Sequence, residues 1–254
     1  MRSMIPLFAC LALACGGDDK DDTTNTTTTE SDTDTDADAD TDADTDADTD
    51  ADTDPNRVTV DFAVVDLLTG QPVEGMAFTS DGDSDTSDGG GIASLTTPLD
   101  ADFEIVGTQA DYYPHIWVGY GGMDHGYETN LISRGGGYAI GLQLGLSIDP
   151  AKGVVVVTVE DAAGNPLDGT TVNTTSGFDV ALVPDGSAAG FAPGQTTIAG
   201  QSAWVIFVNV DPGNMDVDIV TADTALTCRF AGGGTADWAV SEADSVTNMA
   251  VVCE

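Results

Sequence analysis

Gly70-Gln71-Pro72-Val73-Glu74-Gly75 and, 94 positions later, Gly164-Asn165-Pro166-Leu167-Asp168-Gly169 decide the fold of this chain. In each, Pro fixes φ for a turn and the flanking glycines supply φ > 0. Each follows a β-rich run, residues 58–66 in the first case and 154–161 in the second. A second correspondence lies downstream. Pro98-Leu99-Asp100-Ala101-Asp102-Phe103-Glu104-Ile105-Val106 matches Pro212-Gly213-Asn214-Met215-Asp216-Val217-Asp218-Ile219-Val220 at a shift of 114. Two blocks in the same order define a tandem repeat. The growth of the shift places about 20 extra residues in the second copy, and the stretch 179–200, rich in Gly, Ala and Pro, is where they fall.

Each copy consists of short β-prone runs separated by Gly, Pro, Asp and Asn, with little helical periodicity. Residues 203–210, Ala-Trp-Val-Ile-Phe-Val-Asn-Val, are almost continuously apolar and predict a central core strand. Met215, Val217 and Ile219 alternate with Asp216 and Asp218, the pattern of a half-exposed strand. Gly135-Gly136-Gly137 is read as leading into a strand. Repeats of this size and pattern predict an all-β chain of two tandem antiparallel Greek-key sandwiches, 57–149 and 150–254, the second with its insertion near 179–200.

Gly70, Pro72, Gly75, Gly91, Leu95 and Pro98 in the first copy, and Gly164, Pro166, Gly169, Phe207 and Pro212 in the second, carry a resemblance. Each copy resembles the carboxypeptidase regulatory-like domain. That resemblance implies a transthyretin-like seven-stranded sandwich acting as a non-catalytic accessory module that contacts protein or glycan. The match is clearest at the start of each copy and drifts after Tyr113 in the first.

The N-terminal stretch sets the expected compartment. Arg2 precedes an apolar run that ends in Leu11-Ala12-Leu13-Ala14-Cys15. This reads as a secretory signal over residues 1–14. A Cys directly after the cut resembles the lipobox of bacterial lipoproteins, with Ala12 where Leu is usual. The expectation is a lipid on Cys15 and anchoring to the outer membrane, for which Gly16 in place of Asp speaks. Residues 15–56 then form a tether. Asp alternates with Thr or Ala from Asp32 to Asp54, and no large apolar side chain occurs. Such a segment cannot bury enough surface to offset its ordering entropy, so disorder is expected. Of the four Cys, Cys10 lies in the signal and Cys15 takes the lipid. Cys228 and Cys253 remain as a pair, read as a disulfide worth roughly 3 kcal/mol by loop closure.

The chain's formal net charge is −38 over 254 residues, with 44 acids and 6 bases. That excludes nucleic acid or an anionic membrane as the partner of a basic face. Catalytic motifs are lacking. His125 and Glu128 form a His-x-x-Glu, half of a carboxypeptidase-like zinc site, but no His follows to complete it. Two clusters remain. Asp81, Asp83, Asp85 and Asp88 have the spacing of a calcium-wrapping loop, with Thr86 in place of the turn Gly and Ile92 in place of the distal Glu. The expected extreme is a partial calcium site; the plain alternative is an acidic hairpin. Tyr112, Tyr113, Trp117 and Tyr120 could make a ligand surface; the alternative is a core strand with Ile116 and Val118 facing one way and Trp117 the other.

The expectation is thus a monomeric, non-enzymatic, lipid-anchored envelope protein, with no cofactor beyond calcium, that binds protein or glycan. The competing readings are a structural stalk or assembly component, and an exported hydrolase with an unrecognised site.

Overall fold

Alternation over β1 (Arg57–Asp66) opens the fold: Val58, Val60, Phe62 and Val64 point inward and their neighbours outward. The computed structural model describes residues 54–187 and 190–254; the signal, Cys15 and the tether through residue 53 lie outside the described residues. The first half continues through β2 (Ala77–Ser80), β3 (Asp83–Thr86), β4 (Ile92–Pro98), β5 (Asp102–Thr108), β6 (His115–Tyr120) and β7 (His125–Leu131). Sheet β4-β1-β7 faces sheet β3-β2-β5-β6. Between them lie Phe62, Phe78 and Trp117, with ring centroids 4.7–5.3 Å apart, and around them Met76, Leu95, Ile105 and Leu131.

The helix α1 (Arg134–Leu144) separates the halves. The second half holds β8 (Gly153–Asp161), β9 (Thr171–Thr174), β10 (Val180–Pro184), β11 (Phe191–Pro193), β12 (Trp204–Val210), β13 (Gly213–Val220), β14 (Cys228–Phe230), β15 (Trp238–Ser241) and β16 (Val246–Cys253). Its strands pair as in the first half. β8 lies between β12 and β16 as β1 lies between β4 and β7, and β13 pairs β9 and β15 as β5 pairs β2 and β6. The stretch 179–200 carries β10 and β11, which extend the sheet beyond β12.

The repeated turn motifs fold alike. Val73 donates its N–H to Val64 O at 3.1 Å, and Leu167 donates to Val159 O at 3.0 Å. Gly70 and Gly75, like Gly164 and Gly169, hold φ between 65° and 80°. Asp66 Oδ1 accepts from the N–H of Leu68 and Thr69, and Asp161 Oδ1 from Ala163 and Asn165. One carboxylate closes each turn. The architecture is all-β, and within it β1–β7, β8–β16 and β6–β16 run parallel.

That last pairing joins the two halves. Val246 to Met249 of β16 run beside His115 to Val118 of β6, so one sheet passes from β3 to β11 through both halves. β6 therefore has a core on each face. Trp117 enters the first core, while Ile116 and Val118 enter the second beside Val155, Val157 and Phe207. Ile116 and Val118 face one way and Trp117 the other, as a core strand would have them, and the shared sheet buries both faces.

A correction concerns residues 135–137, which open α1 rather than a strand. Ser133 caps it, its Oγ accepting from Gly136 N–H at 3.2 Å, and Gly145 ends it with φ 68°. No helix of the described residues is long and apolar enough to cross a membrane.

Cys228 and Cys253 form a disulfide across the directly opposed positions of β14 and β16. Replacing both by Ser is expected to lower stability by about 3 kcal/mol, because the 25-residue separation no longer constrains the unfolded chain. Urea midpoints of the two proteins at equal m measure this; an unchanged midpoint would refute it.

Candidate functional site

Four of the eleven residues of α1 are glycine, each costing about 1 kcal/mol relative to Ala in an isolated helix. Tertiary contacts must hold it, and they do so along one face. Gly137, Ile140, Gly141 and Leu144 recur at i, i+3, i+4 and i+7 and face the outer side of the second-half sheet. The two glycines permit the close approach. A Cβ on Gly137 would stand 2.8 Å from Tyr113 Cε2, and one on Gly141 3.3 Å from Leu146 O. Arg134 fastens the first turn, with Nη1 2.8 Å from Asp244 Oδ2 and its guanidinium 5.0 Å over the Tyr113 ring. Beside that face, Tyr138 and Leu142 are more than 60% exposed.

Between helix and sheet is a cavity of about 80 Å³. Val154, Leu182, Ile206, Val208 and Val246 form its floor, Ile140 and Leu144 its roof, and Leu146 and Ile148 one wall. It opens onto a groove of about 380 Å³, the two sharing Tyr113, Gly141, Leu146, Ile148 and Asp244. Lys152, Asp244 and Ser245 are the polar side chains along the cavity, against fourteen apolar or glycine neighbours and Tyr113. Lys152 is half-turned to solvent and bound to Asp211 at 3.0 Å and Asp179 at 3.6 Å. The hydrogen bond to Asp211 raises its pKa, so it stays charged. Of the four cations among the described residues, Arg57, Arg134, Lys152 and Arg229, two therefore stand at this pocket.

Such walls set the chemistry. A water needs two to four polar partners and finds almost none here. The cavity favours an apolar guest.

The acidic cluster is a structural device. Asp83 and Asp85 share a face of β3 and reach to β4. Asp83 Oδ2 accepts from the Thr96 N–H at 2.7 Å and the Thr96 hydroxyl at 2.8 Å, and Asp85 Oδ2 from the Ser94 N–H at 2.7 Å. Asp88 Oδ1 takes the N–H groups of Gly90 and Ile92, and the Asp81 carbonyl receives Arg57. These bonds replace strand pairing along an open side of the first sandwich. The Thr96 amide is also the main reason the Asp83 pKa is lowered. Among the described residues no three His, Cys, Asp or Glu side chains converge as metal ligands. Of the four residues of the calcium expectation, Asp83, Asp85 and Asp88 aim carboxylate oxygens at backbone amides, and Asp81 contributes its backbone carbonyl.

The four aromatics do not form one surface. Trp117 is fully buried and donates Nε1–H to Thr129 Oγ1 at 3.0 Å, which removes it as a ligand platform. Tyr112 donates to Asp66 Oδ2 at 3.1 Å. Tyr120 packs on Gly234. Tyr113 alone reaches the cavity. His125 and Glu128 sit three apart on β7, an odd spacing that sends them to opposite faces, and His125 Nδ1 lies 2.9 Å from Met123 O. They cannot share a metal. The α1 residues and Lys152 were missed by sequence reasoning. Ser133 and Gly145 bracketing Ile140 and Leu144 was the signal for them.

No family model and no curated protein matches the chain. Solved structures similar to it include the Bacillus anthracis TIE protein, at 12% identity over 78% of this chain and 34% of that one, TM-score 0.25. A minor pilin of Streptococcus agalactiae is similar at 10% identity over 77% of this chain and 95% of that one, TM-score 0.27. The shaft pilin SpaA of Lactobacillus rhamnosus GG is similar at 8% identity over 78% and 98%, TM-score 0.25. The chain spans about a third of the TIE protein's length.

Proposed function

We propose that this chain is an exported surface protein, anchored through a lipid on Cys15, whose acidic tether carries a fused pair of sandwiches that works as a non-catalytic binding module. The cavity beneath α1 is the observation that carries the binding half of this reading. It is the element a mere spacer has no need of, since a filled core would be more stable. The signal-like stretch 1–14 and the Asp-rich run to residue 54 support the anchoring half. The resemblance to carboxypeptidase regulatory-like domains supports the accessory role.

A structural stalk is the second reading. The single sheet through both halves favours it, because a shared sheet resists bending between them better than a flexible linker. Native mass spectrometry of the full chain separates the two. A panel of small alcohols, glycans and calcium is offered. One retained guest per chain is expected; a bare chain under every condition would leave only the stalk.

A further inference from the structure

Three features of the pocket under α1 together specify a guest. First, the cavity is small. An apolar cavity of roughly 150 Å³ takes a benzene ring, so 80 Å³ holds about three carbon atoms of a narrow chain. Second, the walls supply aliphatic side chains and backbone glycine rather than hydrogen-bonding partners, so a sugar or peptide would enter with its polar groups unpaired. Third, the cavity is continuous with the groove beside Tyr138, Leu142, Ser147 and Pro150, whose mixed polar and apolar walls give a longer guest a path toward solvent. The rim adds a selection. Arg134 is neutralised by Asp244, and Lys152 by Asp211 and Asp179. An anionic head would have to displace carboxylates already in place, whereas an uncharged one displaces nothing.

We propose that the cavity between α1 and the β8-β12-β10 face is a binding site for one linear aliphatic tail of an uncharged single-chain amphiphile, inserted tail-first under Ile140 and Leu144. This inference rests on the binding-module reading and names its ligand class. The tail lies against Val154, Leu182 and Ile206, and the head emerges near Ser147 and Tyr138.

Calorimetric titration tests it. The protein is the full chain carrying Cys15→Ser, so that no acyl group of its own competes, and the probes are 1-butanol, 1-hexanol, 1-octanol and 1-decanol. One molecule per chain is expected. Affinity should rise by up to about fourfold per added methylene and then flatten, because further carbons leave the cavity and its groove. Octanoate should bind more weakly than 1-octanol. Ile206→Phe fills the floor and should abolish binding of 1-octanol. Val154→Thr keeps the volume but adds a hydroxyl, and should weaken it severalfold; it guards against a filled variant that does not fold. Met123→Gln, at an exposed apolar residue outside the pocket, should leave it unchanged. Failure of every alcohol to bind would overturn the proposal, as would equal binding by the Ile206→Phe and Val154→Thr proteins. A chain that retains a glycan or calcium but no alcohol overturns this inference while keeping the binding-module reading. A chain that retains nothing overturns both.

Discussion

Replacing Trp117 by Ala is expected to destabilise the protein by about 3–5 kcal/mol. Trp117 is fully buried at the middle of β6, the strand both cores share. Its ring meets Phe62 at 5.0 Å, Phe78 at 5.3 Å and His115 at 5.7 Å, so truncation opens a void that three aromatic neighbours cannot close without leaving their rotamers. It also removes the donor to Thr129 Oγ1, a buried group. Gly107 lies directly against the ring: a Cβ there would stand 2.7 Å from Trp117 Cζ3. Gly107→Ala should therefore destabilise too, by overpacking, and the two substitutions should not add, since the smaller ring makes room for the methyl. Because β6 also lines the second core, the loss should appear as one shifted unfolding transition followed by near-ultraviolet dichroism and by fluorescence. A loss under 1 kcal/mol, or a first half that melts alone, would contradict the shared-strand account.

Mild acid should destabilise the protein through His115. This side chain is fully buried at the start of β6, where its Nε2 accepts from the Ile132 N–H at 3.2 Å and its Nδ1 lies 3.1 Å from the Asn248 carboxamide. Burial disfavours the imidazolium and lowers the pKa from 6.5 to about 3. The unfolded chain then binds a proton below pH 6.5 that the native state refuses. The stabilising effect of a neutral His115 is complete above 6.5 and declines by about 1.4 kcal/mol per pH unit below it, or about 2 kcal/mol by pH 5. Glu104 and Glu160 oppose part of this. Burial raises their pKa values, so protonation on descending pH favours the native state. The depressed carboxylates act later. For Asp66, burial alone would raise the pKa, but hydrogen bonds from Thr69, Tyr112 and Leu68 outweigh it. Asp66, Asp83 and Asp161 contribute above the unfolded value near 3.8 and lose that contribution as pH falls through their lowered values. Urea denaturation at pH 7, 6 and 5 gives the slope. In His115→Gln the slope between 6.5 and 5 should largely vanish, whatever the variant's own stability. An undiminished slope would assign the acid sensitivity elsewhere.

The strand pattern and the repeat were legible because they rest on local chemistry. Glycine at a positive φ beside Pro72 or Pro166 folds the same way wherever it stands, and alternation in β1 and β13 states which face is wet. The pairing of Cys228 with Cys253 followed from counting. What was hidden depended on partners far away in sequence. Only the meeting of β6 with β16, more than a hundred residues on, buries both faces of residues 115–118. The same is true of α1. Its glycines argue against a helix until the sheet face it covers is known, and that face is assembled from β8, β10, β12 and β16. The pocket therefore belongs to no single motif. Of the four aromatics marked in the sequence, only Tyr113 reaches it. The aspartates at 81, 83, 85 and 88 looked alike for ligation and for capping, because a carboxylate oxygen serves a cation or an amide equally. Asp83 and Asp85 point to the Thr96 and Ser94 amides, which local sequence does not foretell.

The central claim is that a cavity under α1 takes an aliphatic tail, and methyl NMR of the full chain titrated with 1-octanol tests it most directly. Saturable shifts are predicted at Ile140, Leu144, Ile148, Leu182 and Ile206, with Val157 and Val205 in the second core unmoved. Shifts spread evenly over exposed methyls such as Leu68 and Leu99, with Ile140 and Ile206 silent, would contradict it.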